Sequence, residues 1–249
     1  PMTKFFNHKI HVLFKREDLN TVKLEGKVAI VLDILFATTT IVSALARGVS
    51  EVYPVKSETD ALNLAKNIKG NFALAGELYA ETINGFFPPT PLALIQEDIK
   101  GKKLIYSTTN GTVALNQSSS SYVTFVGALI NAKSIVNNII NNYPKKKVVI
   151  VCSGSMGNPN LEDVLGAGYF VKLFTEFSEI SDSQLSDSSK IAKSVFESGS
   201  VVDTLKKSRV GNLMADKELD EEVLYASNLS CENIVPIVDS NCVIKAKIC

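Results

Sequence analysis

Two uninterrupted apolar runs constrain the fold of this chain more than any other feature. Residues 27–32 are Lys-Val-Ala-Ile-Val-Leu, and residues 147–151 are Lys-Val-Val-Ile-Val. Continuous β-branched runs of this length are typical of strands whose two faces are both covered by helices. Polar residues and then a helix-like pattern follow each run, and this alternation recurs along most of the chain. The sequence therefore predicts an α/β fold, with a mostly parallel or mixed sheet in a three-layer α/β/α arrangement.

The length of 249 residues accommodates one large domain or two smaller ones. We expect two α/β lobes, residues 1–115 and 116–249, with the functional site between them; a single compact domain is the alternative. In the second half, helical patterns cover residues 189–196 and 201–207, with Gly211 expected to be a break, and a short acidic helix is predicted at 218–226. A last strand is predicted at 233–238, and the basic tail after it shows no pattern.

Composition and charge exclude several functional classes. The chain carries 26 basic and 26 acidic residues without a long basic run, which argues against nucleic acid or an anionic membrane as a partner. No apolar run approaches the ~18 residues of a membrane span, and the first residues lack a signal-peptide core. None of the four cysteines has CxxC spacing, so we expect a reduced, cytoplasmic protein without disulfides or a thiolate zinc site.

Polar residues cluster where the predicted strands end. Asp33 closes the first apolar run, Glu77 follows a predicted strand at 72–75, and residues 107–112 (Ser-Thr-Thr-Asn-Gly-Thr) follow another. The second run leads into residues 153–163, which begin Ser-Gly-Ser and end Leu-Glu-Asp. The carboxyl ends of parallel strands lie on one side of a sheet, so one shared site is expected there. A proline-rich loop, residues 84–91, is either a rigid wall of this site or a plain connector.

The stretch 103–116 has the features of an anion cradle. A strand that ends in hydroxyl residues and opens a helix presents free backbone N–H groups to a phosphate. Gly111 would let the backbone approach a ligand, and Thr112 would cap the helix. An ordinary Asn-Gly turn explains the same residues. The candidate substrate-binding residues along the chain are Thr38, Thr39, Thr108, Thr109, Gly111, Thr112, Ser153 and Gly154.

The acidic residues indicate a hard metal ion. Glu162 and Asp163 suit the first turn of a helix through its dipole and need no ligand to explain them. Beside a Ser-Gly-Ser loop they also suit Mg²⁺, which takes oxygen ligands and shares phosphate oxygens. The predicted metal ligands are therefore Asp33, Glu162 and Asp163. Asp33 would serve as a ligand, a base or a nucleophile, and no Walker A or GxGxxG sequence supports a nucleotide site.

Five motifs appear in order along the chain. They are Asp-Ile-Leu-Phe-Ala-Thr-Thr-Thr at 33–40, Gly-Glu at 76–77, Thr-Thr-Asn-Gly-Thr at 108–112, Gly-Ala-Leu-Ile-Asn at 127–131 and Leu-Glu-Asp-Val-Leu-Gly-Ala-Gly at 161–168. Together they resemble the 2-phosphosulfolactate phosphatase (ComB-like) family over nearly the whole chain. The resemblance implies a magnesium-dependent α/β phosphatase that converts phosphosulfolactate to sulfolactate, in some organisms towards coenzyme M, and it favours a homodimer. Within it, Asp33, Glu77 and Asn110 are the expected catalytic residues.

The chain departs from the family pattern at residues that bind anions. Phe36, Leu78 and Val113 stand where the family usually or often has arginine, and residues 89–93 lack the family's acid. Arginine binds phosphate, carboxylate or sulfonate through a bidentate fork, so its loss should weaken binding. Arg47, Arg209, Lys56 or a partner subunit would have to compensate. Two alternatives follow: a non-catalytic ligand-binding protein, or a metal-dependent hydrolase of a less anionic substrate.

Overall fold

The computed structural model describes residues 9–21, 23–108 and 111–248, and these form a sheet of ten strands with helices on both faces. The three-layer α/β/α prediction is confirmed. The strands are β1 (Ile10–Leu13), β2 (Val28–Leu32), β3 (Glu51–Val55), β4 (Phe72–Leu78), β5 (Glu81–Thr82), β6 (Lys103–Ser107), β7 (Val123–Gly127), β8 (Val148–Cys152), β9 (Ile234–Val238) and β10 (Ile244–Ile248).

The helices alternate with these strands over most of the chain. They are α1 (Ala37–Ala46), α2 (Glu58–Asn67), α3 (Pro91–Ile95), α4 (Gly111–Gln117), α5 (Ala132–Asn142), α6 (Leu161–Phe177), α7 (Asp187–Glu197), α8 (Val201–Lys207), α9 (Arg209–Asp216) and α10 (Asp220–Ala226). None of the helices in the described ranges combines the length and the apolar character that a bilayer crossing requires.

The sheet contains two parallel sets of strands joined by an antiparallel hairpin. β1, β8, β2 and β7 are parallel neighbours, and β3, β6 and β4 form the second set. β9 runs antiparallel to β7, and β10 runs antiparallel to both β9 and β3. The two sets therefore run in opposite directions within the sheet. The hairpin reverses the direction between the sets.

The division into lobes at residue 115 stays a prediction. β1 and β2, from the first half of the chain, lie in one set with β7 and β8 from the second half. The sheet therefore runs across the proposed boundary. The join between the two sets is narrow, because β10 aligns with β3 at one residue pair, Ile244 with Val52.

Alternate residues of the central strands enter different cores. Val28, Ile30 and Leu32 of β2 pack in a cluster with α5, α6 and α7, whereas Val31 joins a second cluster with α1, α3 and α4. β8 divides its side chains in the same way. Every residue of β2 and β8 is buried, as predicted, because helices cover both faces of the sheet.

Two predictions for the second half of the chain are wrong. Gly211 lies inside α9 and does not break it. Its missing side chain serves packing, since a Cβ there would lie 1.9 Å from the carbonyl oxygen of Leu205. The tail contains β10, whose pattern Ile-Lys-Ala-Lys-Ile pairs with β9 along five residues.

Candidate active site

A cavity of about 490 Å³ receives residues from both parallel sets. Asp33, after β2, lines it together with Glu77 of β4 and with Thr108, which follows β6. Ser155 and Met156, from the loop after β8, and a run of residues from α9 complete the wall. Three of the predicted strand-end residues, Asp33, Glu77 and Thr108, thus meet at one place.

A second cavity, of about 530 Å³, lies near the carboxyl ends of α5 and α6. Its described walls are mainly apolar, with Lys9, Lys146 and Glu179 among the charged residues. None of the strand-end acids reaches it. The first cavity is therefore the candidate site, because acids from the strand ends, Asp33 and Glu77, line it and do not line the second.

Two threonines fix the loop that carries Asp33. The backbone N–H of Asp33 donates to Thr38 Oγ1 at 2.9 Å, and the same hydroxyl donates to the carbonyl oxygen of Asp33 at 3.0 Å. Thr39 Oγ1 donates to the carbonyl oxygen of Ile34 at 2.7 Å. Both threonines are fully buried and lie outside the set of residues that line the cavity. Their geometry supports a role in positioning Asp33, and direct substrate binding by either stays a prediction.

Asp163 ties together the loops after β2 and β8. Its Oδ1 accepts the backbone N–H of Ile34 at 2.9 Å, and its Oδ2 accepts the backbone N–H of Gly154 at 3.0 Å. Gly154 has a φ of +60°, and a Cβ there would lie 2.5 Å from the carbonyl oxygen of Asn158. Burial, and then the charges of Asp33 and Glu162, raise the pKa of Asp163 well above its usual range. The carboxyl of Asp163 and the amide of Gly154 are thus already engaged with each other.

The carboxyl of Asp33 lies in an environment that disfavours its charge. Burial, followed by the charges of Glu162 and Glu77, raises the pKa of Asp33 to about 7, against the opposing effects of the Ala37 amide and Arg16. Glu77 is half-buried, and its Oε2 accepts the backbone N–H of Ala80 at 2.8 Å. The surroundings of Asp33 therefore favour the protonated form of its carboxyl.

Glu162 opens α6 and is 1% exposed. Its Oε1 is buried without a hydrogen-bond partner among the residues that the structure describes. Burial raises the pKa of Glu162, while its own amide, the Ser208 hydroxyl and Arg209 oppose that shift. A buried carboxylate oxygen without a donor is costly, and a cation is one of the few groups that would satisfy it.

The predicted anion cradle is partly described. Thr108 is 4% exposed, lines the cavity, and its Oγ1 has no hydrogen-bond partner within the described ranges. Gly111 opens α4, so Thr112 lies inside the helix and is not its cap; its hydroxyl donates to the carbonyl oxygen of Thr108 at 3.1 Å. Thr109 and Asn110 lie outside the described residues. Among the described residues of this stretch, the hydroxyl of Thr108 is thus a donor without a partner.

Ser153 lies directly after β8 and is fully buried. Its Oγ has no hydrogen-bond partner in the described part of the chain, but the residue lies outside the cavity lining. The backbone carbonyl oxygen of Ser153 accepts a hydrogen bond from the backbone N–H of Arg16 at 3.3 Å. Substrate binding by Ser153 therefore stays a prediction.

The proline-rich loop is a wall of the cavity. Pro88, Pro89 and Thr90 line it, and the carbonyl oxygen of Pro89 accepts hydroxyl hydrogen bonds from Thr40 at 2.8 Å and from Tyr106 at 2.7 Å. Glu222 of α10 accepts Thr90 Oγ1 at 2.6 Å, which anchors the loop from a distant element. The sequence did not identify Tyr106 and Glu222 as residues that fix this loop. The pattern around Tyr106 is typical of a buried strand, and Glu222 resembles an ordinary surface acid.

The positions that lack the family's arginines differ in location. Phe36 lines the cavity, whereas Leu78 is 52% exposed, and neither Leu78 nor Val113 belongs to the lining. Of the proposed compensating residues, Arg209 lines the cavity. Arg47 instead pairs with Glu232 at 3.1 Å, and Lys56 is not part of the cavity wall.

Comparison with known proteins gives a consistent result. The family model described as 2-phosphosulpholactate phosphatase matches residues 13–241. Relatives named "Probable 2-phosphosulfolactate phosphatase" are 33% identical in Clostridium perfringens (strain SM101 / Type A), 32% in Clostridium novyi (strain NT) and 34% in Carboxydothermus hydrogenoformans. Each alignment covers 92% of this chain and 92%, 96% and 92% of the respective relative.

The fold, the acid-lined cavity and these matches define the class of protein as an enzyme, a phosphoric monoester hydrolase. Within that class, the chain belongs to the 2-phosphosulfolactate phosphatase family.

Proposed function

We propose that this protein is a magnesium-dependent phosphatase that hydrolyses 2-phosphosulfolactate to sulfolactate and inorganic phosphate. The names of its relatives support this substrate. The single observation that carries the proposal is the position of Asp33, whose buried carboxyl lines the cavity together with Glu77 and Thr108. A carboxylate placed in such a cavity is suited to accept a proton from an attacking water.

The acids in and behind the cavity wall fit a magnesium ion with few protein ligands: Asp33 lines the cavity, and Glu162 and Asp163 are buried outside its lining. Among the described residues no three His, Cys, Asp or Glu side chains form a group that could hold a metal ion. Mg²⁺ does not need such a group, because it keeps waters and is bound by one or two carboxylates together with substrate phosphates. Glu162, with its unpartnered Oε1, would be the main ligand, and Asp33 lies close enough for their charges to interact. Asp163, whose two oxygens accept backbone amides, would orient the loops around the ion.

When bound, the ion would screen the phosphate charge and stabilise the leaving oxygen. The residues of the chain divide the remaining tasks. Asp33 takes a proton from the attacking water as the water oxygen bonds to phosphorus and the ester P–O bond breaks. The leaving oxygen of sulfolactate takes up a proton from solvent water. The Thr108 hydroxyl donates to a phosphate oxygen. The proline-rich wall, fixed through Thr40 and Tyr106, limits access of bulk water.

The proposal is tested by phosphate release from 2-phosphosulfolactate, measured with Mg²⁺ and again after removal of the metal with EDTA. We expect turnover that disappears with EDTA and returns when Mg²⁺ is added back. Turnover of other phosphoesters but not of 2-phosphosulfolactate would contradict the substrate and leave the class intact. Tight ligand binding in calorimetry without phosphate release from any substrate would favour the non-catalytic alternative.

A further inference from the structure

The chain contains three arginines, Arg16, Arg47 and Arg209, and the structure separates them by their partners. Arg16 pairs with Glu17 at 3.4 Å, and Arg47 pairs with Glu232 at 3.1 Å. Arg209 forms no ion pair with any carboxylate in the described ranges, and it lines the cavity. Among the described residues that line the cavity, Arg209 is the only one with a positive charge. The other charged residues in that lining are the acids Asp33 and Glu77.

The backbone of Arg209 is held by a fixed corner between α8 and α9. Ser208 caps α9, since its Oγ accepts the backbone N–H of Gly211 at 2.9 Å. Gly211 packs so closely on α8 that a Cβ would lie 1.9 Å from the Leu205 carbonyl oxygen. The backbone of Arg209, the first residue of α9, is therefore held in place by contacts that do not involve the arginine side chain.

The guanidinium is oriented by a short polar relay. A terminal nitrogen of Arg209 donates to Ser155 Oγ, and Ser155 Oγ donates to Asn160 Oδ1 at 2.8 Å. Ser155 lines the cavity beside Arg209. A guanidinium carries five N–H donors, so this bond leaves donors for an oxyanion in the fork geometry that Arg uses.

Arg209 also comes from a different element of the fold than the groups assigned to the phosphate. Asp33 and Thr108 come from the loops after β2 and β6, whereas Arg209 comes from α9 and acts on Glu162. In 2-phosphosulfolactate the carboxylate is attached to the same carbon as the phosphate ester, and the sulfonate is one carbon further away. The group that extends furthest from the reacting phosphorus is thus the sulfonate.

We propose that Arg209, oriented by Ser155, binds the sulfonate of the substrate and is the specificity-determining residue of this enzyme. This inference rests on the proposed function. Phe36 lines the cavity at a position where the family usually has arginine, and its side chain does not bind anions. Arg209 of α9 would supply that anion binding instead.

The test compares Arg209→Gln with Arg47→Gln, a matched control whose arginine pairs outside the cavity. Each variant is assayed on 2-phosphosulfolactate and on 2-phospholactate, which lacks only the sulfonate. For Arg209→Gln we expect the KM for 2-phosphosulfolactate to rise about 10- to 100-fold, as for a lost charge-assisted hydrogen bond, with kcat within about 2-fold. The KM for 2-phospholactate should stay within about 3-fold, and Arg47→Gln should leave both substrates unaffected. An equal rise in KM for the two substrates, or a fall in kcat alone, would overturn the assignment.

Binding of sulfolactate, measured by calorimetry without turnover, separates this inference from the proposed function. If the unmodified enzyme hydrolyses neither phosphoester, the proposed function fails, and the calorimetric comparison still tests the arginine. We expect sulfolactate to bind the unmodified enzyme at least tenfold more tightly than Arg209→Gln. Equal affinities would overturn the role of Arg209 whatever the enzyme hydrolyses.

Discussion

Asp33 illustrates how a single carboxyl acquires its properties from loops that are distant in the sequence. Thr38 fixes its backbone, Asp163 fixes the backbone of the next residue, and Glu162 and Glu77 supply the charges that act on it. The sequence predicted the acids at strand ends. It did not predict that two of the threonines would bind the loop backbone instead of lining the cavity, because a hydroxyl's partner depends on loop geometry.

The raised pKa of Asp33 predicts a pH-dependent effect of Asp33→Asn on stability. The native state holds this proton more tightly than the unfolded state, so the carboxyl's favourable contribution is present at low pH and is lost as pH rises from about 4 to about 7. At pH 8 the ionised group should cost up to about 4 kcal/mol, which asparagine avoids. We therefore expect Asp33→Asn to gain stability relative to the unmodified enzyme between pH 5 and pH 8, measured by urea unfolding.

The control for this prediction is Asp98→Asn, since Asp98 is exposed and pairs with Lys102 at the surface. Its stability difference from the unmodified enzyme should not change with pH. A constant difference for Asp33→Asn across the same range would show that the carboxyl of Asp33 titrates normally.

Glu162 makes a separate prediction about the metal. Mg²⁺ that binds only the native state should raise the free energy of unfolding, by about 2.7 kcal/mol at 100 times Kd. Glu162→Gln should lose most of this stabilisation in thermal unfolding, because its buried Oε1 is the oxygen left without a donor in the described structure. Glu176→Gln, at the other end of α6, is the matched control and should respond to Mg²⁺ normally. An undiminished response of Glu162→Gln would exclude Glu162 as a ligand.

At the scale of elements, the sequence predicts those strands whose residue pattern is compatible with only one arrangement in the fold. The runs 27–32 and 147–151 bury every residue of β2 and β8 because such strands must be covered on both faces. β10 was missed because its alternating lysines are typical of a basic tail. The burial of Ile244 depends on its pairing with β9 on one side and β3 on the other. Gly211 was misread because a glycine either ends a helix or permits close packing, and the sequence does not distinguish the two.

The corner between α8 and α9 gives the prediction that belongs to this scale. Gly211→Ala should destabilise the protein by about 2–4 kcal/mol, because the new methyl group would overlap the Leu205 carbonyl. Gly199→Ala, where a Cβ meets no atom within 4 Å, is the control and should change stability little. Chemical denaturation measures both. Equal stabilities for the two variants would mean that the α8–α9 corner can move apart at no cost.

At the scale of the whole molecule, two parallel sets of strands contribute to one cavity. The class of fold was predictable from the alternation of strands and helices. The reversal between the sets was not, since it depends on the insertion of β9 and β10, from the end of the chain, between β7 and β3. The same long-range arrangement brings Arg209 to the cavity, and no local pattern around residue 209 signals that placement.

The resemblance to the family also predicts a homodimer. Light scattering coupled to gel filtration should then report about twice the 27.0 kDa mass of one chain. The mass should be independent of dilution through the range used for activity assays. A mass equal to one chain at all concentrations would contradict the prediction and would exclude a partner subunit as a source of anion-binding residues.

The central claim is that the buried acid at the end of β2 performs phosphate ester hydrolysis. The most direct measurement is the rate of phosphate release from 2-phosphosulfolactate with Mg²⁺ by the unmodified enzyme, Asp33→Asn and Asp98→Asn. We predict turnover by the unmodified enzyme and by Asp98→Asn. Asp33→Asn should lose at least 100-fold in kcat, as expected for removal of a general base, while it remains folded. Unaltered turnover by Asp33→Asn would contradict the account and leave Asp33 as a turn residue.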